Sequence, residues 1–324
     1  MNKTLFLLSL STIFFFSCEK KNAITLRKAT GKINTISVII DDQLWNGEVG
    51  DSIRNKFASP VIGLPEEEPL FTINQYPVKL MEGFVTDSRI IIVVKKENKN
   101  DFYLTKNKYA TPQKVFHISG KTASEILKIL QSSAPKIIEI SKETEIAENQ
   151  RITNLSLLNT ERITQKFNIS LKVPSGYLYS YQNNEFLWLK KEIPSGNASI
   201  LIYQVPLSTL KNDNNAIKNI INIRDSIGKL YIRGTESDTN MITDEGYAPY
   251  LFKIKLGGNE TFETKGTWEL KNDFMSGPFV NYAIVDKKHN RILVLEGFCY
   301  SPSKDERDLM HELESIIKSI TILN

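Results

Sequence analysis

A thiol at position 18 is the group in this sequence best placed for a defined chemistry. Cys18 follows Ser17 at the end of an apolar run, residues 5–16, that Lys3 precedes. The run is too short to cross a bilayer, which takes roughly 20 apolar residues. Its length suits the apolar part of a signal peptide. A small residue followed by cysteine at that point reads as a bacterial lipobox, because only a thiol there can take a diacylglyceryl thioether. Phe15 stands where leucine is more usual. The expectation is a lipoprotein signal peptide over residues 1–17 and lipid attachment, palmitate included, at Cys18.

The rest of the sequence offers nucleophiles and bases without a constellation. Ser175, Ser195 and Ser276 each precede glycine, but no G-x-S-x-G is present and all three read as turn residues. Serine hydrolysis needs a base and an orienting acid as well. The three histidines are His117 at a strand end, His289 in a hairpin turn and His311 on the polar face of the last helix, each expected to be solvated or structural. His311-Glu312 lacks the second histidine of a zincin. Asp41, Asp42, Glu48, Asp51, Glu66, Glu67 and Glu68 supply oxygen ligands at short spacing, without the order of an EF-hand. They read as solvated loop acids. No catalytic residue, metal site or cofactor is expected.

Aromatic side chains are the better candidates for binding. Trp45 lies in a strand-to-helix turn, where capping of the core competes with a role as a ligand platform. Tyr177, Tyr179, Tyr181, Phe186 and Trp188 cluster along one predicted hairpin. Strict alternation places Tyr177, Tyr179 and Tyr181 on one face. Exposed, that face would bind a partner or glycan; covered by a helix, it would be core.

These residues need elements to hold them. The chain has 324 residues, 41% hydrophobic and 24% charged, an ordinary globular composition at a length that suggests two domains. The net charge of +4 falls by one when Lys3 leaves with the signal. No basic cluster marks a nucleic-acid partner. With Cys18 acylated, Cys299 has no intrachain partner and reads as a small buried hydrophobe.

Periodicity predicts β-α-β-β-β-α in the first half. Strands fall at 33–40, 70–75, 89–95 and 114–118, with a helix at 47–58. A long helix at 122–157 is expected to be kinked or divided by Pro135. The second half reads β-β-β-α-β-β-β-β-α. Alternation at Phe167, Ile169, Leu171 and Val173 is the cleanest strand signal. A helix at 215–228 is expected to be capped by Gly228. Residues 278–286 and 292–300 form a hairpin. The final helix begins at Ser303, with Ser303 and Glu306 as a capping box. The fold class is therefore α+β, with two domains, each a mainly antiparallel sheet with helices packed on one face. The domains are expected at 32–160 and 161–324, after a tether at 18–31.

Trp45-Asn-Gly-Glu-Val-Gly-Asp51, Gly63-Leu-Pro-Glu-Glu-Glu-Pro-Leu-Phe71, Val173-Pro-Ser-Gly-Tyr177, Phe186-Leu-Trp-Leu-Lys-Lys191 and Ala198-Ser-Ile-Leu-Ile-Tyr203 resemble a family of Bacteroidota envelope lipoproteins of unknown function. The resemblance covers nearly the whole mature chain. It implies envelope location and two α+β domains, and no activity. Residues 166–323 also resemble the architecture shared by the photosystem oxygen-evolving protein P and the Mog1 nuclear-transport factor, through Val173-Pro-Ser-Gly-Tyr177 and the hairpin and helix from Phe298 onward. That resemblance implies a non-catalytic binding or assembly role.

The expected function is thus a lipid-anchored envelope protein that binds a protein or glycan partner or supports assembly. The alternative is a lipid-anchored, hydrolase-like enzyme with dispersed catalytic residues. Glu19-Lys-Lys-Asn22 lacks an acid-rich export tract, so the protein is expected on the outer membrane, facing the periplasm.

Overall fold

A computed structural model describes residues 26–210 and 215–323. The expected signal peptide, residues 1–17, and Cys18 lie outside the described residues. No helix among the described residues is long and apolar enough to cross a membrane.

The first domain is built on strands with unbroken apolar runs. Strands β2 (Thr35–Ile40), β3 (Thr72–Tyr76), β4 (Ile90–Lys96), β5 (Asp101–Lys106) and β7 (Lys114–Gly120) form a sheet in the order β3-β2-β4-β7-β5. The pairings β2–β3, β2–β4 and β4–β7 are parallel, and only β5–β7 is antiparallel. This corrects the expectation of a mainly antiparallel sheet here. Residues 90–94 are all buried, the pattern of a strand covered on both faces, as parallel sheets require. On one face Ile36, Val38, Ile90, Ile92 and Phe116 meet α2 (Glu48–Phe57) and α3 (Ala123–Thr153). On the other, Ile39, Ile91, Val93 and Val115 meet Tyr76, Val78, Met81 and Tyr109. Strand β5 had no sequence prediction; it is an edge strand with no fully buried position.

Two short strands, β1 (Arg27–Lys28) and β6 (Ala110–Thr111), pair in parallel. Residues 26–31, expected as tether, thus lie against the first domain. The turn α1 (Asp42–Trp45) leads into α2. Gly50 is obligatory there, since a Cβ would fall 1.8 Å from the Trp45 carbonyl oxygen. Helix α3 starts on a capping box between Thr122 and Glu125. Its 31 residues run through Pro135 without division. Ile126, Leu130, Ala134 and Ile137, on both sides of the proline, are buried in the core of the first domain.

In the second domain, β9 (Leu178–Gln182), β10 (Phe186–Ile193), β11 (Gly196–Pro206), β12 (Met241–Thr243), β14 (Asn259–Leu270), β15 (Ser276–Asp286) and β16 (Arg291–Tyr300) are ordered β12-β14-β15-β16-β11-β10-β9, with β13 (Tyr250–Leu256) also on β14. Every pairing in this sheet is antiparallel, as expected. Helices cover both faces, however, not one. Helices α4 (Glu161–Phe167) and α6 (Arg307–Ile317) pack beside Leu187, Ile200, Tyr282 and Leu295. Helix α5 (Ala216–Tyr231) packs beside Leu201, Phe262, Phe279 and Val294.

Three local expectations change. Phe167, Ile169, Leu171 and Val173 are buried as alternation requires. Yet Phe167 ends α4, and only β8 (Ile169–Ser170) finds a ladder, with β17 (Thr321–Ile322). Alternation reported which side faces the core, not who pairs. Helix α5 continues past Gly228 to Tyr231. A Cβ at 228 would lie 2.2 Å from the Met241 carbonyl, so glycine there allows close strand approach and is not a cap. Helix α6 begins at Arg307, and no Ser303–Glu306 box forms.

Candidate functional site

The cap that Ser303 does not supply comes from the other domain. The Glu68 carboxylate accepts from the backbone N–H of Glu306 at 2.6 Å and of Arg307 at 3.1 Å. An acid at a helix N-terminus satisfies orphan donors and opposes the dipole. Arg307 in turn donates to the Pro69 carbonyl at 2.9 Å. Asn34 Nδ2 donates to Asp308 at 2.9 Å, and Gln150 Nε2 to the Ser315 carbonyl at 2.9 Å. Helix α6 therefore belongs to the second core by its apolar stripe, Leu313, Ile316, Ile317 and Ile320, and meets the first domain with its polar face.

Two hollows flank this helix. The smaller, about 70 Å³, is walled by Val61, Ile62, Leu64 and Leu70, by Lys142 and Ile146 of α3, by Lys265 and Phe279, and by Met310, His311 and Glu314 of α6. The larger is an open cleft of about 700 Å³ between Lys32, Ile33 and Asn149 on one side and Pro194, Ser195, Lys304, Asp308, Leu309 and Glu312 on the other. That volume is within the usual range for small-molecule sites.

Charge is dense around the smaller hollow. Lys265 lies 3.2 Å from Glu314 and 3.5 Å from Glu263. Burial opposes its charge, but the two carboxylates outweigh it and raise its pKa. Burial likewise opposes ionisation of Glu314, and Lys265 and Lys318 more than reverse it, holding the carboxyl well below its usual range. Tyr282 donates to Glu263 at 2.6 Å. Much of Lys142 is exposed, yet burial at the smaller hollow and then Lys265 push its pKa down.

Of the two expectations for His311, solvated or structural, its half-buried position at the junction fits the second. Burial lowers its pKa, against opposite pulls that include Glu314 and a hydrogen bond to the Glu145 backbone. Nε2 is left buried and without a partner, at a cost of about 1–3 kcal/mol for such a group. His117 stacks on Tyr103 at 4.4 Å and contacts Thr105 at 3.2 Å. Burial, then Lys108 and Lys95, lower its pKa to about 4, so it is neutral at pH 7. His289 is clasped between Asp286 at 2.8 Å and Asn168 at 3.1 Å. No one site gathers the three.

The other sequence candidates disperse too. Ser175 bonds Ser156 and Ser195 bonds Ser301. Cys299 is free and buried, and burial and Glu306 push its thiol pKa up, making it inert. Among the described residues no group of three or more His, Cys, Asp or Glu is arranged to hold a metal. Trp45 is half-buried on the first core, with the Arg54 guanidinium 4.5 Å from its ring.

The tyrosines do not share a face. Register runs Trp188↔Tyr181 and then Leu189↔Tyr179, so Ser180 is an extra residue in a β-bulge. One inserted residue reverses every later side chain. Tyr177 and Tyr179 pack beside α4 and α6, where Tyr177 is fully buried and donates to Glu312 at 3.0 Å. Tyr181 turns to the α5 face beside Phe186 and Tyr231 and is 46% exposed. Trp188 is half-buried on that same face and donates to Ser199 at 3.1 Å.

Of the residues that build the junction, Lys142, Lys265 and Glu314 were overlooked in sequence, and Glu68 was read as a solvated loop acid. Lys142, Lys265, Glu314 and Glu68 are far apart in the chain. Only the i,i+4 pair Glu314–Lys318, at 2.5 Å, carries a local signal.

Known proteins place the chain by family. No curated protein matches it. Among the solved structures similar to part of it are two of different origin. The Ran-binding protein Mog1p of Saccharomyces cerevisiae is 10% identical, covering 48% of this chain and 91% of its own, with a TM-score of 0.32. LpqN, described as involved in cell envelope biogenesis of Mycobacterium tuberculosis, is 12% identical, covering 48% and 83%, with a TM-score of 0.29. Neither likeness bears on function. Residues 29–154 match a domain of unknown function, DUF8532. Residues 156–319, half of the chain, match the domain of unknown function DUF4837, and the chain belongs to that family.

Proposed function

We propose that this is a lipid-anchored protein of the cell envelope, held by acylated Cys18 at the outer membrane with its body in the periplasm. Its role is non-catalytic: it binds a protein or glycan partner, or supports assembly. One observation carries the binding reading. The two domains are joined around α6 so as to leave an open cleft of about 700 Å³, lined by apolar Ile33, Pro194 and Leu309 among polar groups. His117 and His289 offer no competing chemistry, since His117 has cations about it and His289 is fixed by Asp286 and Asn168.

The anchor is tested by Cys18→Ser. Buried acyl methylenes contribute about 0.8 kcal/mol each, so a lipidated protein stays with the membrane. The variant should accumulate as precursor or move to the soluble fraction; maturation and fractionation like wild type would refute the anchor. The binding role is tested by complementation with alanine at His117, His289 or His311, at matched abundance. No single substitution should abolish function. Loss of a general base costs about 10²–10⁴ in rate, so failure of one folded variant would promote the enzyme reading.

A further inference from the structure

We propose that the smaller hollow, between α3 and α6, binds a short aliphatic carboxylate, with the Lys142 ammonium as its counter-ion. The site differs from the open cleft on the other side of α6 and does not depend on partner binding there.

Three cations line the hollow: Lys142, Lys265 and Arg307. Lys265 is paired with Glu314 and Glu263. Arg307 is paired with Asp308 and bonded to the Pro69 carbonyl. Lys142 makes no hydrogen bond or ion pair with any described residue. Glu314 and Glu263 act on its ammonium without a direct pair, and it is the one lysine or arginine of the hollow with no ion pair of its own.

The ligand must therefore bring a single negative charge. A phosphate dianion is disfavoured, because one free ammonium cannot balance it and the Glu314 and Glu263 carboxylates lie close by. Asn34 and His311 also line the hollow, and much of the remaining wall is apolar: Val61, Ile62, Leu64, Leu70, Ile146 and Met310. An alkyl group satisfies them where water cannot. Ile62 is 47% exposed, so a tail closing over it removes apolar surface from solvent. The space of about 70 Å³ holds about five to seven waters, at 10–15 Å³ of such volume each. That suits an acid of roughly four to six carbons and rejects longer chains.

The test is calorimetric and saturation-transfer titration of the full protein in detergent with acetate, butyrate, hexanoate, octanoate and inorganic phosphate. Affinity should peak at butyrate or hexanoate. Lys142→Met should weaken that binding at least tenfold. Lys304→Met, beside the open cleft, should leave it unchanged. Thermal unfolding of each variant establishes that it is folded, and Ile146→Trp, which fills the hollow, should abolish binding independently of charge. The proposal is overturned if no acid binds at about 10 mM, if affinity keeps rising to octanoate, if phosphate equals butyrate, or if Lys142→Met binds as wild type. None of these outcomes touches the partner-binding reading, which complementation tests.

Discussion

Two acids at the domain junction are held in different ways. Glu145 of α3 is 0% exposed and bound by the Arg89 fork, Nε and Nη2 each at 2.9 Å, with the Asn34 N–H at 3.0 Å. Arg89 also donates to the Gly31 and Lys32 carbonyls. The array fixes the entry of the chain to the end of α3. Glu314 of α6 is held by two ammonium groups, Lys265 and Lys318. An arginine fork dictates geometry, whereas a lysine is a point charge on a flexible stem. The first arrangement is a rivet and the second can adjust, and it is beside the second that the small hollow lies.

The contrast is broken most severely at the rivet. Arg89→Met leaves Glu145 buried without a counter-charge and should cost about 3–5 kcal/mol in chemical unfolding. Adding Glu145→Leu should recover most of the loss, since an apolar replacement of a buried pair is often neutral. A single variant as stable as wild type would show that the pair does not pin the helix.

Lys265→Met is expected to cost less, about 1–2 kcal/mol, because Lys318 still faces Glu314. Loss equal to that of Arg89→Met would erase the distinction between the two sites.

The smallest effect belongs to Glu306, beside the Glu68 cap. Burial, aided by Glu68 and Glu66, raises its pKa from 4.5 to about 7, against a backbone hydrogen bond from Ser301 and contact with the Cys299 thiol. The folded protein then holds the proton more tightly than the unfolded chain. Stability should fall as pH rises from 4.5 to about 7 and level off above. Glu306→Gln should be more stable than wild type at pH 8, by about 1 kcal/mol after allowance for partial exposure. The two should converge at pH 4.5. A difference independent of pH would show that Glu306 does not titrate in this range.

Much of the fold is written locally. Val49, Ile53 and Phe57 declare α2 by their spacing, and Leu313, Ile316, Ile317 and Ile320 declare the buried stripe of α6. The β15–β16 hairpin is visible in two apolar strands about a polar turn. These features depend on neighbours within a few residues, and side-chain period reports them directly.

What failed depended on partners distant in sequence. Apolar continuity in residues 90–94 shows burial on both faces, but parallel pairing rests on which strands lie alongside. The bulge at Ser180 that separates Tyr179 from Tyr181 is a property of the ladder with β10. No spacing rule finds it. Glu68 reads as one of three loop acids until the N-terminus of α6, 238 residues later, arrives to be capped. The expectation of a signal peptide and a lipidated Cys18 rests on the sequence alone, because targeting is read from a linear segment. The junction around α6, with Lys142, Lys265, His311 and Glu314 about one hollow, exists only once two cores have formed and docked. Burial and a shared low-polarity space, not sequence proximity, then set the charge and pKa of each group.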